Sequence, residues 1–211
     1  MALRKQNFAI DEYYHLYNRG TEKRVIFLDK KDYYHFLFLM YVCNTVKSIE
    51  LRNIGEIFDR KETIINIGAY CLMPNHFHIL VREKIENGIS TYMRKLLTGY
   101  SMYFNKKYKR TGKLYEGVFK STHINEDNYL KYIYSYIHLN PAKLKNRNWK
   151  KDKKRNISNL LNYVFSYPYS SLREYVNLKF KILNPEHFPV YFRKLIDHKE
   201  EFFEWLNFIN D

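Results

Sequence analysis

The pattern of apolar and polar positions predicts a strand and then a helix near the start of the chain. An aromatic, mixed segment at residues 13–19 is typical of a strand, and Gly20 closes it. Asp29 and Asp32 mark a helix start, after which apolar residues recur three and four positions apart as far as Cys43. We therefore expect this first helix to lie against a sheet.

A β-hairpin is predicted next, followed by a second helix. The β-branched run at residues 63–72 indicates a strand, residues 73–75 form a tight connection, and a second strand follows at residues 76–81. Asn87-Gly88 ends this region. Apolar residues at helical spacing over residues 89–104 then predict an amphipathic helix whose opposite face is basic.

The remaining elements complete an α+β pattern. A strand is expected at residues 114–124, and Asn125 is expected to cap a third helix. This helix should end at residue 139 or 140, because Pro141 disfavours helical geometry in the residue before it. The order strand, helix, hairpin, helix, strand, helix indicates a ferredoxin-like or RRM-like α+β sandwich, with an antiparallel sheet and helices on one face.

The composition of the chain changes after Pro141, where a basic segment begins, and we place a domain boundary there. Residues 143–155 form a basic run, which is typical of a solvated loop or of a tail that contacts phosphates. Residues 170–176 and 198–209 have helical spacing. We therefore predict a main domain over residues 1–141 and a basic loop with a helical extension over residues 142–211.

Composition narrows the classes of protein that the chain can represent. The 36 Lys and Arg residues against 22 Asp and Glu give a net charge of +14, and the aromatic content of 18% is the opposite of a disordered composition. This charge favours a polyanionic partner. No apolar run is long enough to span a bilayer and the N-terminal residues lack a leader pattern, so we expect a cytoplasmic protein without a membrane partner. Cys43 and Cys71 are expected to be reduced and buried.

Two histidines on the predicted hairpin are the first candidate chemical feature. Side chains alternate along a strand, so His76 and His78 project from one face while Phe77 points into the core. Two imidazoles so close on one rigid element can chelate one cation. The alternative is a pair of ordinary strand histidines, one hydrogen-bonded to a neighbour and one solvated.

The second candidate feature lies on the third predicted helix. Tyr136 and Asn140 are four residues apart and therefore share a helical face. With 21 tyrosines in the chain, the alternative is that Tyr136 is a packing residue. Asn140, directly before Pro141, is also suited to terminating the helix.

The two features occur together with further segments that resemble one family. The matching segments are Tyr14-His-Leu-Tyr-Asn-Arg-Gly20, Ile26-Phe-Leu-Asp29, Tyr70-Cys-Leu-Met-Pro-Asn75, Pro74-Asn-His-Phe-His-Ile-Leu-Val81, Lys113-Leu-Tyr-Glu-Gly117 and Tyr136-Ile-His-Leu-Asn-Pro141. Over about residues 10–142 the sequence is similar to the single-tyrosine transposases of the HUH superfamily, in particular the branch of REP-associated tyrosine transposases. The main domain, residues 1–141, is then the nuclease domain.

The resemblance implies cleavage and rejoining of single-stranded DNA at hairpin-bearing sites through a 5′-phosphotyrosine. It assigns Tyr136 as the nucleophile and His76, His78 and Asn140 as ligands of a divalent metal, Mg²⁺ or Mn²⁺. Glu116 is a candidate local helper. The cations that we expect to contact DNA are Arg19, Arg94, Lys95, Lys106, Lys107, Lys109, Arg110 and Lys120.

Several alternatives stay open at this point. Trp149, with other aromatic residues, is available to stack on unpaired bases. A protein of the same fold that binds DNA or RNA and cleaves nothing would carry the same charge, whereas the lack of a helicase-length extension disfavours a replication initiator or relaxase. The oligomeric state is open between a homodimer that exchanges the tyrosine helix and a monomer with its site in cis. The expected location is the cytoplasm, in association with the nucleoid.

Overall fold

The computed structural model describes residues 7–47, 58–152, 154, 156–193 and 202. The strands of this part are β1 (Tyr13–Arg19), β2 (Ile65–Met73), β3 (His76–Glu83) and β4 (Lys120–Ile124). The α-helices are α1 (Lys30–Val42), α2 (Gly88–Lys107), α3 (Asp127–Leu139), α4 (Ala142–Lys145), α5 (Ile157–Ser166) and α6 (Leu172–Asn177). Within the described residues, no helix is both long enough and apolar enough to cross a membrane.

The four strands form one antiparallel sheet in the order β2-β3-β1-β4. The hairpin β2–β3 turns at Pro74 and Asn75, as predicted, and brings Met73 opposite His76. On its other side β3 pairs with β1, with Tyr17 opposite His78. The predicted α+β class with an antiparallel sheet is therefore confirmed.

The helices occupy both faces of this sheet. The buried ring of Phe77 on β3 lies 5.2 Å from that of Phe36 on α1, and α1 packs against α2. The next residue along β3, His78, points to the opposite face, where its ring lies 5.4 Å from that of Tyr136 on α3. The sequence predicted helices on one face, which holds for α1 and α2, whereas α3 covers the other face.

The start of α1 follows the predicted signal. The Asp29 side chain accepts from the backbone N–H of Asp32, and the Asp32 side chain accepts from the backbone N–H of Asp29. This reciprocal capping box satisfies two amide donors that the helix itself leaves unpaired. Asp32 is fully buried, where the Lys107 ammonium donates to it at 2.6 Å.

Two predicted boundaries need correction, and one helix was missed. β4 begins at Lys120 and not near residue 114, because the preceding segment is irregular and pairs with the end of β1 through a bridge between Tyr115 and Gly20. Glu126, not Asn125, is the N-cap of α3, and it makes no side-chain cap hydrogen bond. The helix α5 was not predicted, although Asn156 caps it by accepting from Asn159.

The residues after α4 cover the outer edge of β2. The Leu72 N–H donates to the Tyr169 carbonyl at 2.9 Å, and the Tyr167 hydroxyl donates to the Leu72 carbonyl at 2.7 Å. Ser171 extends these contacts, because its N–H donates to the Tyr70 carbonyl at 3.0 Å. An otherwise open strand edge is thereby protected.

The predicted division at residue 141 stays a prediction, although described residues on both sides of it contribute to one hydrophobic core. The helix expected at residues 170–176 corresponds to α6. The one expected at residues 198–209 lies outside the described residues, apart from the buried Phe202. Cys43 and Cys71 are free and buried, as predicted.

Candidate active site

A cleft of about 340 Å³ opens where β1, β3 and α3 meet. Its lining combines imidazole, phenol, amide, carboxylate and cationic groups. The residues that line it are Tyr17, Asn18, Arg19, His76, His78, Glu116, Lys120, Tyr136 and Lys143. Three of these side chains are cations and one is a carboxylate, so the cleft is suited to an anionic ligand.

The two histidines of β3 share this cleft, with ring centroids 5.0 Å apart. His76 Nδ1 is hydrogen-bonded to Asn75 Oδ1 at 2.7 Å, and His78 Nδ1 shares a hydrogen bond of 2.9 Å with His15 Nε2. Among the described residues, neither histidine has a protein partner for its Nε2 atom. A ring nitrogen that is left unpaired while the other is held in place is the usual state of a metal-binding histidine.

Both histidines are neutral at neutral pH. Burial, with the charges of Arg19 and Lys143, lowers the pKa of His76 to about 4. Burial lowers the pKa of His78 well below its ordinary value, and the neighbouring histidines contribute in the same direction. A neutral imidazole is the form that can ligate a cation.

Tyr136 reaches the cleft from α3. Its ring lies edge-on to that of His78, 5.4 Å away, and stacks on that of Tyr132 at 6.0 Å. Burial and, next, Tyr132 raise the pKa of the Tyr136 phenol, although the neighbouring Asn140 amide works in the opposite direction. The phenol is therefore protonated at neutral pH, and ionising it needs a change in its surroundings.

Asn140 lies behind the tyrosine and does not itself line the cleft. Its side chain is 1% exposed, and its Nδ2 donates to the Tyr136 carbonyl at 2.9 Å. Its Oδ1 accepts from the Lys143 ammonium at 2.9 Å. Together with Tyr136, Lys143 and other residues, Asn140 lines a small adjoining cavity of about 20 Å³.

Lys143 is a cleft residue that sequence reasoning placed only within a general basic run. Its ammonium lies 5.1 Å from the centroid of the Tyr136 ring. Burial and then the charge of Lys150 lower its pKa. The spacing of three from Asn140 would have placed both residues on one helical face, but Pro141 was read as the end of the helix. In the structure Asn140 and Pro141 both have helical dihedral angles and lead directly into α4.

His15 is a second residue that was not singled out. It lies on β1 two residues before Tyr17, and alternation along the strand turns both side chains towards the histidine face of the sheet. The alternation within β1 was present in the sequence. The face that His15 shares with His78 follows from the strand order and from the register that sets Tyr17 opposite His78, and only the structure supplies both.

Two of the eight cations predicted to contact DNA, Arg19 and Lys120, line the cleft. The other six do not line it, because they lie on α2 or just beyond it, and α2 packs with α1 on the opposite face of the sheet. These six are Arg94, Lys95, Lys106, Lys107, Lys109 and Arg110. Lys107 is already paired with Asp29 and Asp32.

The expectation that Trp149 can stack on bases is wrong. Its side chain is 2% exposed and belongs to the hydrophobic core. An indole so covered has no free face for a nucleobase.

A four-stranded antiparallel sheet that presents a His-x-His pair to a helix-borne tyrosine has the architecture of the HUH superfamily. Residues 30–140 match the family described as transposase IS200 like, also called Y1 transposases, so the chain belongs to this family. The resemblance found in the sequence is thereby confirmed at the level of the family.

A solved structure supports the same fold. The chain is similar to a REP-associated tyrosine transposase solved bound to a REP hairpin, with a TM-score of 0.54 and 15% sequence identity. The likeness covers 90% of this chain and 92% of the other. No curated protein matches the sequence.

Proposed function

We propose that this chain is a metal-dependent transposase that cleaves and rejoins single-stranded DNA at hairpin-bearing sites through a 5′-phosphotyrosine. The observation that carries the proposal is the shared cleft: Tyr136 lies beside two neutral histidines, each with a ring nitrogen that has no partner among the described residues. Membership of the transposase family agrees with this chemistry.

Tyr136 is the nucleophile in this mechanism. Its oxygen forms a bond to the phosphorus of the scissile phosphodiester, and the bond from phosphorus to the 3′ oxygen breaks. The phenol gives up its proton and the departing 3′ oxygen gains one, so the products are a 5′-phosphotyrosine and a free 3′-OH. The number of phosphoester bonds is unchanged, and a second DNA end can therefore reverse the step without ATP.

The phenol proton needs an acceptor, because burial raises the pKa of Tyr136. Glu116 lines the same cleft, and among the described residues of the lining it is the one with a carboxylate. We assign it the role of holding the proton during the attack.

His76, His78 and Asn140 would hold a divalent cation. The free Nε2 atoms of the histidines and the amide oxygen of Asn140 form a mixed nitrogen and oxygen donor set. Imidazole suits Mn²⁺ better than Mg²⁺, which prefers oxygen ligands, so Mg²⁺ or Mn²⁺ is expected with Mn²⁺ favoured. When bound, such an ion would polarise the scissile phosphate and offset negative charge in the transition state.

The cations Arg19 and Lys120 bind the phosphates that flank the scissile bond. Both line the cleft on the side of β1 and β4. Tyr136 acts in cis in this proposal, because its ring reaches within 5.4 Å of the His78 ring of its own chain. The similar transposase was solved with a REP hairpin, so hairpin DNA is the substrate to test first.

The test is formation of a covalent adduct. Purified full chain is incubated with Mn²⁺ and a pool of hairpin-bearing single-stranded oligonucleotides, and intact mass spectrometry measures the adduct. Wild type and Tyr132→Phe should form it, whereas Tyr136→Phe should not. Tyr132 is the matched control because it lies one turn away on α3 and stacks on Tyr136.

Equal adduct yields from wild type and Tyr136→Phe would refute the assignment of the nucleophile. Tight binding of the oligonucleotides without any adduct would favour a binding protein of the same fold.

A further inference from the structure

The ammonium of Lys143 is partly buried and lacks an acidic partner among the described residues. Its polar contact there is with the uncharged amide oxygen of Asn140, and its nearest ring is that of Tyr136. Glu116 lines the same cleft but lies beyond ion-pair distance of Lys143. Withdrawing a charge from water without an opposite charge costs free energy, so an anion in the cleft would be a better partner.

The contact with Asn140 has a second consequence. Lys143 donates to Oδ1, the atom of the Asn140 side chain that is capable of ligating a cation. The Nδ2 atom of the same amide is held by the Tyr136 carbonyl at 2.9 Å. While this arrangement lasts, the amide oxygen faces a positive charge and is a poor site for a second one.

We propose that Lys143 is a catalytic residue that exchanges partners when DNA binds. In the free protein its ammonium donates a hydrogen bond to Asn140 Oδ1. On binding of the substrate it moves to a non-bridging oxygen of the scissile phosphate and releases Asn140 Oδ1 for the cation. This inference rests on the proposed function, and it adds a phosphate contact and an order of assembly to it.

The position of Lys143 favours this exchange. It lines the cleft that holds Tyr136 and the histidines as well as the small cavity that holds Asn140. One flexible side chain therefore borders both places that it has to reach. Removing a preorganised donor that stabilises transition-state charge typically slows a reaction by about 100-fold, and an intramolecular hydrogen bond contributes about fivefold to tenfold to an equilibrium.

The test compares Lys143→Met with Lys150→Met in the full chain. Lys150 is the matched control, because its ammonium lies 5.9 Å from the Tyr136 ring but makes no hydrogen bond to Asn140 in the structure. Calorimetric titration with MnCl₂ in the absence of DNA measures the affinity for the cation. Single-turnover cleavage of the hairpin oligonucleotide at saturating Mn²⁺ measures the reaction.

Lys143→Met should bind Mn²⁺ about fivefold more tightly than wild type and yet cleave about 100-fold more slowly. Lys150→Met should stay within about twofold of wild type in both measurements. Lys143→Arg, which keeps the charge, should recover most of the cleavage. A lysine that only supported the fold would not combine tighter metal binding with slower cleavage.

Unchanged or weaker Mn²⁺ binding by Lys143→Met overturns the exchange at Asn140, and a loss of cleavage below tenfold overturns the phosphate contact. If Lys143→Met does not fold by circular dichroism, Lys143→Gln replaces it under the same criteria. A wild-type protein that forms no adduct contradicts the proposed function instead. In that case the Mn²⁺ titration still decides whether Lys143 competes for Asn140.

Discussion

Glu83 should make the protein less stable as the pH rises from about 5 to 8. It lies at the end of β3 and is fully buried, where its Oε2 accepts from the backbone N–H of Ile89 at 2.7 Å. Burial raises the pKa of its carboxyl from 4.5 to about 7, although the amides at the start of α2 work in the opposite direction. The folded protein therefore retains a proton on Glu83 at a pH where the unfolded chain has lost it.

The size of the effect follows from this difference. Below pH 4.5 the carboxyl is protonated in both states and carries no penalty. Between 4.5 and about 7 only the unfolded chain ionises, so the free energy of unfolding falls, and above 7 the loss is complete. At about 1.4 kcal/mol for each pH unit, the difference between 4.5 and about 7 amounts to about 3 kcal/mol.

Glu83→Gln isolates this contribution from the histidines. His15 and His76 have pKa values of about 4 when folded, so they raise stability with pH over part of the same range. These histidines are the same in both proteins and cancel in the difference. Urea unfolding followed by circular dichroism at pH 5, 6, 7 and 8 should show Glu83→Gln gaining about 2.5 kcal/mol relative to wild type over this range, because the rest of the loss occurs below pH 5. A difference that stays constant over this range would show that Glu83 has an ordinary pKa.

Two further predictions concern the metal ligands and the core. His15→Gln should weaken Mn²⁺ binding by about tenfold or more, because it alters the partner that holds Nδ1 of His78. Calorimetric titration measures this, and His123→Gln on β4 should leave the affinity unchanged; equal affinities for both variants would refute the role of His15. Asp32→Ala should lower the free energy of unfolding by about 3–5 kcal/mol, because it removes the buried acceptor of the Leu28 amide, the Tyr108 hydroxyl and the Lys107 ammonium. Urea unfolding measures it against Asp59→Ala, which removes an exposed ion pair and should have little effect; a similarly small loss for Asp32→Ala would contradict the reasoning.

The sequence was sufficient to predict the histidine half of the site. His76 and His78 alternate with Phe77 on a strand, and this alternation by itself decides that both imidazoles leave the core on one face. The turn at residues 73–75 also fixed where the strand begins. The alternation and the turn both involve residues that are adjacent in the sequence, so the local sequence pattern is enough to predict their geometry.

The face on which α3 packs could not be predicted in the same way. Ile133 and Ile137 show that α3 has an apolar side, but β2 is buried along its whole length and offers apolar residues on both faces. Either face could therefore receive the helix. Because α3 packs on one face of the sheet and α2 on the other, Lys95 and Lys107 of α2 do not line the cleft.

The histidines on β3 and Lys143 on α4 lie on two sides of the cleft, and their side chains differ in how far they can move. His76 and His78 alternate with Phe77 and Ile79, which are both fully buried, so the histidines cannot shift without disturbing the core. Lys143 is only partly buried, and its long, flexible side chain borders two cavities. Any rearrangement that DNA induces should therefore occur on the side of α3 and α4, which is where the proposed exchange of Lys143 takes place.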